Sequence, residues 1–262
     1  MNSEATGEIK TASRFNNRVE NYAAYRPGYP AGVVDFLREE LKLSTASIVA
    51  DVGSGTGLLS ELFLQNGNEV FGVEPNDEMR AAAAVQLQTH PNFKSVKGTA
   101  EATTLADASF DFVTAGQAFH WFDTNKARTE FARILKPGGY AVIIWNLRRT
   151  NSTPFLRDYE ALLRRVGTDY DKVAKSYAKE EDLHRFFDGN YQIKKFDNSQ
   201  IFDFAGLRGR TLSASYVPLA GQPGHEEMLA GLREIFDRHQ HNGTVEHQYD
   251  TEIYYGKVIS SQ

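Results

Sequence analysis

The sequence predicts an α/β fold: a doubly wound, Rossmann-like sheet of seven mostly parallel strands with helices on both faces. Short apolar segments alternate with amphipathic helical segments between residues 47 and 145. This alternation is the pattern of successive βαβ units. Crossovers between parallel strands are right-handed, and this favours the doubly wound arrangement. After residue 147 the alternation breaks, and we expect helical insertions and an antiparallel last strand there.

Composition sets the broad class of the protein. The 262 residues are 41% hydrophobic and 24% charged, which is ordinary for a globular chain with a real core, and we expect a single domain over residues 1–262. A net charge of −5 disfavours nucleic acid as a partner, because phosphate binding favours a basic surface. No segment has the length and hydrophobicity of a membrane span, and the amino terminus has no apolar signal core. We therefore expect a cytoplasmic protein without a membrane partner.

Metal binding is not expected from this sequence. It contains no cysteine, which excludes disulfides and thiolate ligands. Among its seven histidines, His239 and His241 form the closest pair, and no further histidine or acidic ligand pattern accompanies them.

The first two parts of the chain are expected to be a helical cap over residues 1–46 and the central sheet over residues 47–146. Pro27 and Pro30 end any helix that begins near residue 13, because proline cannot continue a helix. Apolar residues at helical spacing then predict helices over 31–43, 58–65, 75–87 and 125–135. Strands are predicted over 47–52, 69–73, 93–97, 110–115 and 140–145.

Residues 147–262 are expected to hold insertions on the substrate side and the final strands. Helical spacing predicts helices over 153–166, 180–187 and 226–239. Strand character predicts strands over 192–204 and 245–258, with an extended or turning segment at 213–218.

A glycine-rich turn follows the first strand and indicates a ligand site. Gly53, Gly55 and Gly57 have the spacing G-x-G-x-G, and glycine permits positive φ and removes the Cβ that would block a flat ligand. The dinucleotide-binding fingerprint would place its third glycine at position 58, which is Leu58 in this chain. The turn therefore predicts a nucleotide-like cofactor without identifying it.

Two carboxylates near the turn narrow the choice of cofactor. Glu74 ends the second strand, where a carboxylate can accept hydrogen bonds from both ribose hydroxyls of a nicotinamide or an adenosyl cofactor. Asp51 stands two residues before Gly53. An acid is costly beside a pyrophosphate but favourable beside the sulfonium and ammonium of S-adenosylmethionine. Asp51 therefore favours the adenosyl cofactor.

Four segments together resemble the class I S-adenosylmethionine-dependent methyltransferases. They are VADVGSGTG, FGVEPNDEM, FDFVTAGQAFHWFD and RILKPGGYAVI. Within that family the chain is similar to the small-molecule branch that includes trans-aconitate methyltransferase-like and malonyl-carrier-protein methyltransferase-like proteins. The likeness covers residues 15–145 and is looser in the later segments GLRGRTLSASYVP and HQYDTEIYYGKV. It implies S-adenosyl-L-methionine as cofactor, S-adenosyl-L-homocysteine as product and a small-molecule methyl acceptor.

The resemblance also implies which residues bind the cofactor. The three glycines would pass beneath it, with Asp51 near its methionine end and Glu74 at its ribose. Residues of the amino-terminal segment would close over it. The full set implied is Asp51, Gly53, Gly55, Gly57, Glu74, Pro75, Asn76, Met79, Ala100, Glu101, Gln117, Tyr22 and Arg26.

The acceptor is expected to bind after the fourth strand, where the family lines its methyl-transfer channel. The candidate pocket residues are Phe119, His120, Trp121, Trp145 and Tyr216. In-line methyl transfer needs mainly alignment and the exclusion of water. A carboxylate acceptor needs no general base, whereas a phenol, alcohol or amine often does. His120 is the candidate catalytic residue, and oxygen and nitrogen acceptors both stay open.

Two other functions are compatible with a cofactor-binding sheet. One is a non-catalytic protein that binds the adenosyl cofactor. The other is a nicotinamide-dependent oxidoreductase, which Leu58, Asp51 and the lack of a late Tyr-x-x-x-Lys pair disfavour. Methylation of DNA amino groups is also disfavoured, since strand four ends in GQAFHW and not in the Asn/Asp-Pro-Pro-aromatic segment of those enzymes.

Overall fold

The computed structural model describes residues 25–168, 170 and 180–258. The chain divides into two compact units. The larger unit comprises the described residues of 28–147, 178–198 and 250–262, and the smaller unit those of 1–27, 148–177 and 199–249. The cap helices predicted before residue 25 lie outside the described residues, and the single domain expected from the sequence stays a prediction.

Seven strands form one sheet in the order β3-β2-β1-β4-β5-β7-β6. The strands are β1 Ile48–Val52, β2 Glu69–Val73, β3 Phe93–Val96, β4 Phe110–Gly116, β5 Leu135–Arg148, β6 Gln192–Phe202 and β7 Val245–Gly256. Strands β1 to β5 pair in parallel, and β1 lies between β2 and β4. The last strands are antiparallel, so the predicted Rossmann-like fold is confirmed. The strand order reverses between β1 and β4, which is where sheets of this kind bind ligands.

The helices follow the predicted alternation closely. They are α1 Gly32–Leu41, α2 Leu58–Gln65, α3 Asp77–Gln86, α4 Thr124–Ile134, α5 Pro154–Val166, α6 Glu180–Phe187, α7 Phe204–Leu212 and α8 His225–His239, with a 3₁₀ turn at Phe119–Trp121. Local caps set several starts. The side chains of Asn76, Asp123 and Thr153 accept hydrogen bonds from first-turn N–H groups of α3, α4 and α5.

Helix α7 differs from the sequence-based expectation, which extends a strand to residue 204 and predicts no helix between residues 204 and 212. Strand β6 ends at Phe202, and the Asp203 side chain caps α7 by accepting a hydrogen bond from the Gly206 N–H at 2.7 Å. Gly206 and Gly209 lower the helix propensity of the segment and so hide the helix from its sequence. Gly209 is needed because a Cβ there would clash with the ring of Tyr25.

Strand β5 begins earlier than predicted, at Leu135 and not at residue 140. The Pro137-Gly138-Gly139 segment, which would end a helix predicted over 125–135, is part of the strand. A Cβ on Gly139 would lie 2.9 Å from the Asp111 carbonyl oxygen. Glycine therefore allows the two strands to approach closely where their register shifts, between Phe110 and Phe112.

Each unit buries its own apolar core. In the larger unit, side chains of α1 and α2 pack with strand residues such as Val49, Phe112 and Ile144. In the smaller unit, side chains of α5, α7 and α8 pack together around Leu163, Leu207 and Leu232. Within the described residues, no helix combines the length and the apolar character needed to cross a membrane.

Candidate functional site

The turn between β1 and α2 leaves an open backbone surface. Its glycines have φ values of +69° at Gly53, +55° at Gly55 and +90° at Gly57. A Cβ on Gly53 would lie 2.5 Å from the Ala118 Cβ, and one on Gly57 would lie 2.6 Å from the Leu87 Cδ1. A Cβ on Gly55 would meet nothing within 4 Å. Gly53 and Gly57 are therefore required by close packing, whereas Gly55 leaves space that a flat ligand can occupy.

Glu74 borders this space at the end of β2, with 9% of its surface exposed. Its Oε2 accepts a hydrogen bond from the Gly55 N–H at 3.0 Å, and its Oε1 accepts one from the Asn76 N–H at 2.9 Å. Burial raises the pKa of Glu74, and these two N–H groups oppose that rise. A carboxylate has about four acceptor positions, so Glu74 keeps capacity for the two hydroxyls of a ribose. The residues present fit an adenosyl cofactor at this point.

Asp51 lies beneath the turn and is fully buried. Its carboxylate accepts a hydrogen bond from the Ser60 hydroxyl at 2.6 Å, and the Thr114 hydroxyl lies 3.5 Å away. The pKa of Asp51 is raised to about 7, mainly by burial. The charge of Glu74 adds to this rise, and the hydrogen bonds from Ser60 and Thr114 oppose it. A ligand above the turn cannot touch this buried carboxylate, so Asp51 can influence such a ligand only through its electric field. When both acids are ionised, they favour a cationic ligand over a phosphate.

The start of α3 is held rigidly beside Glu74. The Asn76 Oδ1 accepts hydrogen bonds from the Glu78 and Met79 N–H groups at 2.9 and 3.0 Å. Met79 is buried under the helix, and Pro75 is exposed. The Arg80 Nη1 donates to the Glu74 carbonyl oxygen at 2.8 Å. This segment thus presents a fixed backbone next to the carboxylate.

The segments after β3 and β4 bring further predicted residues to the carboxyl edge of the sheet. Ala100 is buried, and the Glu101 Oε1 accepts a hydrogen bond from the Asp123 N–H at 2.8 Å, so Glu101 anchors the loop ahead of α4. Gln117 has a φ of +58°, an uncommon conformation for a residue with a Cβ. Its N–H donates to the Ile144 carbonyl at 2.9 Å. Strained residues of this kind cluster at functional sites.

The aromatic residues predicted to line the acceptor pocket have different environments. Phe119 and Trp145 are buried, with ring centroids 6.0 Å apart in an edge-to-face arrangement. Trp121 is 45% exposed, and its ring lies 4.6 Å from the half-buried ring of His120. In this part of the larger unit, His120 and Trp121 are the predicted pocket residues that solvent reaches.

Two of the predicted residues, Arg26 and Tyr216, lie in the smaller unit, and a third lies outside the described residues. Arg26 lies in the smaller unit, where its Nη2 donates to the Ser213 carbonyl oxygen at 3.1 Å. Tyr216 also lies there, with its ring edge-on to Tyr170 at 4.9 Å. Tyr22 is outside the described residues. The roles predicted for these three residues stay predictions.

Asn146 is a structural residue of the site that the sequence did not indicate. Its Nδ2 donates to the Gly28 carbonyl at 3.1 Å, and its Oδ1 accepts from the Asn198 Nδ2 at 3.1 Å and from the Thr251 hydroxyl. Its main-chain carbonyl accepts from the Gln117 Nε2 at 3.2 Å. These partners are distant in the chain, so no local pattern could have identified the interaction.

Comparison with known proteins gives a consistent result. A family model described as a methyltransferase domain matches residues 50–143. An uncharacterised methyltransferase-like protein of Schizosaccharomyces pombe is 33% identical over 230 residues, which is 87% of this chain and 86% of that protein. An uncharacterised methyltransferase of Mycobacterium bovis is 37% identical over 134 residues, or 51% of this chain and 52% of that protein.

Two solved structures resemble the described fold. A candidate type II methyltransferase from Anaeromyxobacter dehalogenans has a TM-score of 0.66 at 20% identity, covering 91% of this chain and 100% of that one. The YcgJ protein from Bacillus subtilis has a TM-score of 0.55 at 22% identity, covering 88% of this chain and 100% of that one. At these identities the likeness shows the fold.

Two glycine variants test the interpretation of the turn. Gly55→Ala introduces a side chain at positive φ into open space, and we expect the free energy of unfolding to fall by about 1 kcal/mol. Gly53→Ala adds a clash with Ala118, and we expect a loss of about 2–4 kcal/mol. Chemical denaturation measures both. Equal losses would contradict the open space above Gly55.

The raised pKa of Asp51 predicts a pH-dependent stability. The folded state retains the Asp51 proton up to about pH 7, whereas an aspartate in the unfolded chain has a pKa of 3.8. The folded state thus binds more protons between these values, and the Asp51 contribution to the free energy of unfolding decreases as the pH rises through this window. We expect wild type to lose about 4 kcal/mol relative to Asp51→Asn between pH 4 and pH 8. Denaturation series at several pH values measure this, with the exposed Asp237→Asn as control. A constant difference between wild type and Asp51→Asn would contradict it.

Proposed function

The chain belongs to the S-adenosylmethionine-dependent methyltransferases, and we propose that it methylates an oxygen or nitrogen atom of a small-molecule acceptor by in-line displacement. The observation that carries the proposal is the open backbone at Gly55 beside the carboxylate of Glu74, above the buried Asp51. The resemblance to the trans-aconitate and malonyl-carrier-protein branch supports a small acceptor. The acidic composition supports it further, and a cytoplasmic location remains a prediction of the sequence.

The proposed cofactor site uses the carboxyl ends of β1, β2, β3 and β4. Glu74 would accept hydrogen bonds from the ribose hydroxyls, and Gly55 would allow the cofactor to approach the backbone. Asp51 would favour the positive charges of the methionine portion through its field. The residues proposed to hold the cofactor are Asp51, Gly53, Gly55, Gly57, Glu74, Pro75, Asn76, Met79, Ala100, Glu101 and Gln117.

When bound, S-adenosylmethionine supplies an electrophilic methyl group on a sulfonium. The contribution proposed for this chain is alignment of the acceptor and exclusion of water, which together lower the barrier by several kcal/mol. The buried rings of Phe119 and Trp145 would keep that region dry, and the exposed face of Trp121 would contact the acceptor. His120, next to Trp121, would take the proton of a phenol, alcohol or amine acceptor, whereas a carboxylate acceptor would need no base.

Replacing Glu74 tests the cofactor site directly. We expect Glu74→Ala to weaken both S-adenosylmethionine and S-adenosylhomocysteine by about 1–3 kcal/mol, because hydrogen bonds to a charged group are lost. Titration calorimetry measures the affinities, and Glu78→Ala in the exposed first turn of α3 is the matched control. If the wild-type protein binds neither compound at millimolar concentration, the cofactor assignment is wrong. An unchanged affinity in Glu74→Ala would remove Glu74 from the site.

Replacing His120 separates catalysis from cofactor binding. We expect His120→Ala to bind S-adenosylhomocysteine as wild type does and to turn over more slowly with an acceptor that must lose a proton. The measurement is methyl transfer from labelled cofactor to a panel of small carboxylates, phenols and amines, with the exposed His241→Ala as control. Wild-type turnover in His120→Ala would exclude His120 as the base. Cofactor binding without transfer to any acceptor would favour a non-catalytic protein.

A further inference from the structure

The smaller unit buries an arginine that has no acidic partner among the residues described there. Arg210, on α7, is 7% exposed. Its Nε donates to the Tyr249 hydroxyl at 3.1 Å, and its Nη1 lies 3.4 Å from the Ser213 Oγ. Throughout the part of the chain that the structure describes, no carboxylate forms an ion pair with Arg210. A buried charge without a counter-ion is strongly unfavourable, and this favours the binding of an anion beside Arg210.

A second buried guanidinium belongs to the same cluster. Arg148 is the last residue of β5, and its side chain is 10% exposed. Its Nη2 forms an ion pair with Glu160 and donates to the Tyr170 hydroxyl at 2.8 Å. Its Nη1 is buried and has no hydrogen-bond partner among the described residues. Glu160 thus neutralises Arg148, but a donor of Arg148 and the full charge of Arg210 remain uncompensated.

Tyrosine rings and a neutral histidine surround the two guanidinium groups. Arg148 lies 5.1 Å from the centre of the Tyr159 ring, and the Tyr216 ring packs edge-on against the ring of Tyr170, with their centroids 4.9 Å apart. His247 is fully buried beside Tyr249, with ring centroids 5.3 Å apart. Burial lowers the pKa of His247 well below its usual value, and the charges of Arg210 and Arg148 lower it further. The cluster therefore has a positive potential and several hydroxyl donors.

We propose that Arg148, Arg210 and the Tyr216 hydroxyl form a binding site in the smaller unit for an oxyanion, which is a carboxylate or a phosphate group. Guanidinium groups recognise such oxyanions through paired N–H donors. Tyr216 is half-buried, so solvent reaches the margin of the cluster. This anion site does not rest on the proposed function.

Binding of simple anions to the full-length protein tests this site. The probes are malonate for a carboxylate, inorganic phosphate for a phosphate ester, and malonamide as an uncharged analogue of malonate, all at constant ionic strength. We expect malonate or phosphate to bind in titration calorimetry and malonamide not to bind. We expect Arg210→Gln to weaken the anion roughly ten-fold or more. The exposed Arg233→Gln, which changes the net charge equally, should match wild type.

The outcomes distinguish this site from the proposed function. Binding of S-adenosylhomocysteine without binding of either anion would overturn the anion site and leave the methyltransferase assignment standing. Binding of malonate or phosphate without binding of S-adenosylhomocysteine would support the anion site and overturn the methyltransferase assignment. Anion affinity that is unchanged in Arg210→Gln would show that the anion binds elsewhere. If Arg210→Gln does not fold, Tyr216→Phe replaces it, with a several-fold loss of anion affinity expected and an unchanged affinity overturning the proposal.

Discussion

The hydrogen bonds between the Glu74 carboxylate and the backbone N–H groups of Gly55 and Asn76 shape the cofactor site. One donor follows β1 and the other follows β2, so a single side chain joins the ends of two neighbouring strands. The Gly53 and Ser54 N–H groups add to this by donating to the Val73 carbonyl at 2.8 and 3.1 Å. The turn is therefore held in an open form before any ligand binds, which reduces the entropy that ligand binding would cost.

Charge distinguishes the two units of the chain. The larger unit carries Asp51 and Glu74 at its glycine turn, and these acids disfavour a phosphate-bearing cofactor when they are ionised. In the described part of the smaller unit, Arg148 and Arg210 lie among tyrosines, and Glu160 pairs with Arg148. The first environment suits a cation, and the second suits an anion.

Local signals in the sequence were sufficient for most of the fold. The alternation of strands and helices, the caps at Asn76 and Asp123 and the glycine turn each act over a few residues, so their effect can be read along the chain. Helix α7 was missed because Gly206 and Gly209 oppose it locally, while packing of Tyr25 on Gly209 stabilises it. That contact joins residues far apart in sequence.

The sequence by itself determined the α/β class, the positions of the first four strands and the glycine turn with its two neighbouring acids, since periodicity and turn chemistry are local properties. Only the tertiary structure decided that Asp51 is buried and bonded to Ser60, and that Asn146 links β5 to β6 and β7. It also decided that Arg210 has no carboxylate partner among the described residues. Burial and pairing depend on which distant segments the fold brings together. Burial and pairing determine the pKa of an acid and the free-energy cost of burying a cation, and the spacing of residues along the chain does not predict either one.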